Sequence, residues 1–353
     1  MSFELTELQD SARKVVADAG VAGNESELWT QITELGWLMV TVPESLSGLE
    51  AGTQGACAIH SELGRGLSTA PYLPAMLAVE AICQSSLVDR ESWLERIFGG
   101  ELITASLSEC CVDLEDGKLD GTVIGVQSAS DAGHVLLWSC DQDVVALVDL
   151  QKNGVTVTSK PTWDQTRRLF DVDLEDVALG DHVVLAEGTA AKHLIRQLMS
   201  LRDFYLAADA IGGAQAMLDM TVEHLQTRIQ FKRPLALFQA LKHRCADMKA
   251  SIVAAEAMLY DALRKIDGHL ESGDCTAKAM GAKMFCTSMF AQVAEDCLQL
   301  HGGIGMADEH PCHLFLKRAL LSEQLCGSAT KNAIHLAQDL IEKSRKTLVE
   351  KSA

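Results

Sequence analysis

The chain has 353 residues, 48% of them hydrophobic, enough to fill about two or three ordinary domain cores without metal or disulfide staples. Aspartate and glutamate outnumber lysine and arginine by 49 to 30, and a net charge of −19 repels phosphate backbones and anionic lipid, which argues against nucleic acid and membrane partners. No apolar run approaches the roughly 18 residues a membrane-spanning helix needs, and the N-terminus reads as an amphipathic helix without a signal-peptide pattern, so a cytoplasmic location is expected.

Residues 1–103 read as an N-terminal helical domain. Apolar residues recur at helical spacing through Leu5, Leu8, Ala12 and Val15, then through Trp29, Ile32, Leu35 and Gly36. Turn-rich breaks such as Pro43 to Gly52 separate the helices. Residues 104–190 change texture to short β-branched runs, VIGV, HVLLW, VVALVDL, GVTVTS and HVVLAE, divided by Gly, Asp and Asn at turn positions. This predicts a small β-barrel or sandwich domain. In residues 191–353 the helical period returns, over Leu194–Leu225, Phe238–Leu270, Thr276–Leu300 and Leu314–Lys346, which predicts an antiparallel four-helix bundle. The expected fold class is therefore α+β multidomain, helical, then β, then helical.

The 11 cysteines are odd in number and lack Cys-x-x-Cys pairs, so reduced thiols packed as small apolar groups are expected. His310, Cys312 and His313 form a ligand-rich run, but three such residues within four positions seldom converge on one ion, and no metal is expected.

Three stretches carry a resemblance: ELGWLMVTVPESLSGLE at 34–50, RIQFKRPLALFQALKHRCADM at 228–248 and QLHGGIGMADEHPCHLFLKRA at 299–319. Together, in this order, they resemble the acyl-CoA dehydrogenase family, and the similarity runs end to end. The resemblance implies FAD held at a subunit interface, acyl-CoA thioesters as substrates, α,β-dehydrogenation, and an electron-transferring flavoprotein as acceptor. On physical grounds, Gly302, Gly303 and Gly305 permit positive φ and close approach of backbone N–H groups to phosphate oxygens. The family uses the loop beginning at Gln299 in that way, on an FAD housed mostly by the neighbouring subunit. Arg228 and Gln230 match family positions on the same cofactor, with Phe238 and Gln239 alongside.

Removal of a proton alpha to a thioester needs a carboxylate base. One family arrangement places a Glu about 27 residues after the leading Gln of the glycine loop, which here is Cys326, followed by Gly327 and Ser328. A thiol of ordinary pKa is a poor base for this step. A second arrangement places the Glu about 26 residues before the motif arginine, where this chain has Arg202, which stays protonated. Asp203 and Glu323 are the remaining candidates. Asp203 is about 100° round the helix from Arg202, and an acid at Glu323 reads more readily as an ion-pair partner of Lys317 or Arg318.

The β region departs from the family in parallel. Where members carry a Thr-Glu-x-x-x-Gly-Ser loop and a Trp-Ile-Ser or Thr strand around the flavin ring, this chain has Ala105 to Glu109, then Cys110 and Cys111, and later Gly125 to Ser128. Retained cofactor-gripping groups beside missing carboxylates and a missing ring pocket imply one subunit of an α2β2 assembly, in which a paralogous subunit supplies the base. The family analogy extends to bulky acyl-CoA substrates such as steroid side-chain thioesters. The alternatives are a self-sufficient homo-oligomeric enzyme using Asp203 or Glu323, and a non-redox scaffold or acyl-CoA-binding protein on the same fold.

Overall fold

The computed structural model describes residues 3–107, 112–266, 270 and 272–352. Five helices come first: α1 (Phe3–Ala19), α2 (Glu25–Glu34), α3 (Gly52–Arg65), α4 (Tyr72–Gln84) and α5 (Arg90–Phe98). Helix α2 starts where the Asn24 side chain accepts the Glu27 N–H at 3.1 Å, satisfying one of the donors left open at a helix start. It buries Leu28 and Ile32, but Leu35, expected in the same apolar stripe, lies just past the helix end and is exposed.

The middle part holds two four-stranded sheets. Strands β1 (Ile103–Ala105), β4 (His134–Trp138), β5 (Val144–Asp149) and β8 (Val183–Glu187) form one in the order β1-β4-β5-β8, parallel only between β1 and β4. Strands β2 (Val112–Glu115), β3 (Lys118–Gln127), β6 (Val155–Lys160) and β7 (Leu169–Ala178) form an antiparallel sheet in the order β2-β3-β7-β6. The long strand β7 escaped the run-based reading because Asp171, Asp173, Glu175 and Asp176 interrupt its apolar residues. The pairing resolves it: Val172, Leu174 and Val177 are buried between β3 and β6.

The rest is helical, opening with the 40-residue α6 (Gly188–Thr227), then a small hairpin of β9 (Ile229–Gln230) and β10 (Arg233–Pro234). Helices α7 (Gln239–Arg264), α8 (Gly273–His301), α9 (Cys312–Gln324) and α10 (Ala329–Ser352) follow. One correction concerns the last helix, expected to be continuous over Leu314–Lys346. It breaks after Gln324, because Cys326 and Gly327 adopt positive φ (61° and 97°) and turn the chain. Helix α7 likewise ends at Arg264 rather than Leu270.

Helix α6 is the spine: it packs on α3, α7, α8 and α9, and is buried on every side between Ser200 and Ala214. Its contact with α3 brings backbones together at Gly64 and Gly212. A Cβ at Gly212 would sit 1.7 Å from the Ser61 carbonyl oxygen, so no side chain fits. Arg318 of α9, wholly buried, joins all three parts of the chain. Its guanidinium donates to the Ser68 carbonyl (2.9 Å), to Thr166 Oγ1 (2.8 Å) and the Thr166 carbonyl (3.0 Å), and pairs with Asp164 (3.2 Å) and Asp209 (3.4 Å). Arg167 adds a second cation on Asp209 at 3.1 Å.

Candidate active centre and cofactor face

The two positions at which the resemblance implies a base, 124 residues apart, meet in space. Arg202 projects from α6 and Cys326 from the α9–α10 turn, and both reach the carbonyl of Leu107, just beyond β1. Arg202 Nη1 donates to it at 3.0 Å and Cys326 Sγ at 2.5 Å. Burial pushes the Cys326 thiol up, further from thiolate, against the opposing pull of the Arg202 charge. Lys283 of α8, fully buried, donates to the Gly327 carbonyl and lies 3.4 Å from that of Glu323. A cation thus sits at the carbonyl-rich end of α9 and fixes the turn. Burial lowers the Lys283 pKa.

Both remaining carboxylates are engaged by neighbouring side chains. Asp203 does not face away from Arg202: its Oδ1 accepts from Arg202 Nε at 2.9 Å and pairs with Nη2 at 2.8 Å, both side chains buried. Glu323 corrects the expectation of an ion pair with Lys317 or Arg318, because its Oε1 accepts the Ser288 hydroxyl at 2.9 Å, toward α8, and Arg318 is committed to Asp164 and Asp209. A cavity of about 690 Å³ lies elsewhere, between α2 and the β region; the one touching Arg202 and Cys326 is about 300 Å³ and lined by Met199, Met280, Ile334 and His335.

The β face is likewise committed. Gln127 Nε2 donates to the Thr69 carbonyl at 3.2 Å, and Ser128 Oγ donates to Glu25 Oε1 at 2.6 Å. Glu109, Cys110 and Cys111 lie outside the described residues.

The other candidate residues gather at one end of the helical region, because α6 and α8 finish where α7 begins. Arg228 caps α6 and is exposed, as are Gln230, Gln239 and Gln299. Phe238 is half-buried, with the Arg233 guanidinium 3.9 Å above its ring and Phe231 against it at 6.0 Å. The glycine loop is one short 3₁₀ stretch, Gly302–Met306, in which positive φ occurs only at Gly302 (64°). Gly303 does not need it, and Gly305 serves packing, since a Cβ there would lie 3.0 Å from His301 Cβ. Gly302 and Gly303 are exposed with open space above them, which suits close approach of a phosphate.

A group of imidazoles behind this loop was not anticipated. His301, the last residue of α8, is stacked at 4.6 Å on His224 of α6 and lies 4.8 Å from His310. Ligand-type atoms of His301, His310 and Cys312 lie within 4.8 Å of one another, whereas His313, grouped with the last two in sequence, is not part of the set. The described cysteines are thiols, and no helix among the described residues is long and apolar enough to cross a membrane.

Residues 3–101 match the family model for the acyl-CoA dehydrogenase N-terminal domain, and residues 193–340 match that for the C-terminal domain. The chain is 30% identical over 307 residues to the acyl-CoA dehydrogenase IpdE2 of Mycolicibacterium smegmatis, covering 86% of this chain and 85% of that protein. The chain belongs to the acyl-CoA dehydrogenase family. Among solved structures, the steroid acyl-CoA dehydrogenase Tcur3481-Tcur3483, as its G363A variant, superposes with a TM-score of 0.85 at 25% identity, covering 97% of this chain and 99% of that one. The ChsE4-ChsE5 complex from Mycobacterium tuberculosis shares the fold, with a TM-score of 0.85 at 23% identity over 97% of this chain and 98% of its own.

Acyl-CoA dehydrogenases are FAD-dependent oxidoreductases, and this chain fits the cofactor unevenly. Arg228, Gln230, Gln239 and Gln299 are exposed polar side chains, and the Gly302–Gly303 backbone is open. The groups nearest the expected ring position, Gln127 and Ser128, are bonded inside the chain.

Proposed function

We propose that this chain is one subunit of a heteromeric FAD-dependent acyl-CoA dehydrogenase, contributing cofactor-binding groups across the interface while a paralogous subunit supplies the base and the ring pocket. The observation that carries the reading is the shared use of the Leu107 carbonyl by Arg202 and Cys326, which fills both base positions with groups unable to accept the alpha proton. The engagement of Asp203 by Arg202 and of Glu323 by Ser288 weighs against a self-sufficient enzyme. The substrate is an acyl-CoA thioester; the similar structure named as a steroid acyl-CoA dehydrogenase favours a bulky acyl group. An electron-transferring flavoprotein is the expected acceptor.

The test is an absorbance spectrum near about 450 nm of the chain purified alone and after co-expression with a candidate paralogous subunit, with flavin counted per chain. The expected result is no flavin alone and about one flavin per pair of chains in the complex. One flavin per chain in the protein alone would refute the reading and direct attention to Asp203→Asn and Glu323→Gln. A complex that stays colourless would favour a non-redox scaffold.

A further inference from the structure

His301 immediately precedes the exposed Gly302–Gly303 backbone, so its own position sets that of the loop. Three contacts hold it. Its Nδ1 lies 2.9 Å from the Cys297 carbonyl, one helical turn back, and so carries the proton. Its ring stacks on His224 at 4.6 Å, and His310 closes the other side at 4.8 Å. The remaining nitrogen, Nε2, is buried without a hydrogen-bond partner. Cys312 Sγ approaches at 3.6 Å, but on the Nδ1 side, where a proton already sits, so thiol and imidazole lone pairs do not point at one centre as a metal requires.

The titratable and charged groups facing this ring are His224 from α6, with Arg228 beyond it, His310 from the loop before α9, and Cys312 at the start of α9. None is a carboxylate. A proton added at Nε2 would place a buried charge between two further imidazoles with no anion to answer it.

We propose that His301 is a positioning residue that holds the Gly302–Met306 turn in its cofactor-gripping conformation only as the neutral imidazole, which makes cofactor retention pH-dependent. This rests on the reading that the loop grips FAD. Burial lowers His301 below the ordinary 6.5, with His224 and His310 adding to the shift. The depressed value means the stacked loop is at full strength above 6.5 and weakens as the pH falls from there toward the lowered value.

The experiment measures FAD retained by the co-purified complex after gel filtration between about pH 5.5 and pH 8. Wild type is expected to hold flavin at the upper end and to lose several-fold in affinity, up to about ten-fold, at the lower. His301→Phe keeps a stacking ring that cannot protonate, and should bind within about two-fold of wild type at high pH while flattening the acid loss. Should that variant fold poorly, His224→Phe removes a neighbouring imidazole whose charge lowers the His301 value, and should shrink the acid loss. Flavin retained equally at every pH, or a His301→Phe curve that tracks wild type, overturns the inference alone. Stoichiometric zinc bound by wild type and lost in His301→Phe also overturns it, by making the cluster a metal site. Flavin absent at every pH defeats the heteromeric reading itself and the inference with it.

Discussion

Cys326 and Cys140 are both thiols, and their surroundings give them opposite reactivity. Cys140 is exposed at the end of β4, whereas Cys326 is turned onto the Leu107 carbonyl and burial pushes its pKa up. Because the thiolate is the reacting form, iodoacetamide near about pH 8 should label Cys140 at least ten-fold faster than Cys326 in the native chain, with the difference abolished in urea. Peptide mass spectrometry over a labelling time course would show it, and equal native rates would mean that the α9–α10 turn opens readily. At this scale counting from the motifs picked out Arg202 and Cys326, which the fold brings onto one carbonyl. Counting could not show that Arg202 turns its guanidinium onto Asp203, since adjacent helix residues point about 100° apart until long side chains fold back.

At the scale of elements, the contact of α3 with α6 depends on two residues without side chains. Gly212→Ala places a methyl group where the Ser61 carbonyl lies, so the helices must separate, at a cost of about 3 kcal/mol. Urea unfolding would measure it; a midpoint unchanged from wild type would mean α6 can shift without loss. Helices α6 and α8 were legible because their apolar period runs for many turns, but the phase of α6 was not, since a spine buried on all sides offers no polar face to orient it. Strand β7 was illegible for the converse reason: its acids, Asp171 buried and Glu175 and Asp176 exposed, mask the alternation. The break before α10 had its signal in Gly327, but matching periodicity on both sides concealed it. The glycine loop and Arg228 segment were readable as motifs, whereas the stacking of His224 on His301 joins the ends of two helices and leaves no local pattern.

Across the whole molecule, Arg318 is the residue that the helical and β parts share. Arg318→Met removes a buried cation and leaves Asp164 and part of the charge on Asp209 unanswered, which is expected to cost about 3–5 kcal/mol. Adding Asp164→Asn should recover part of that loss, because the remaining buried charge is then neutralised. Thermal melts of the single and double variants test this, and additive losses would show that the two side chains act separately.

The bond from Arg318 to the Ser68 carbonyl spans 250 residues of sequence. During synthesis, the first five helices and both sheets leave the ribosome long before α9 exists, and the carbonyls of Leu67 and Ser68 face no cation until it does. At roughly 5–20 residues per second that interval lasts on the order of ten seconds or more, and the junction between the helical and β parts stays open to proteases and chaperones throughout.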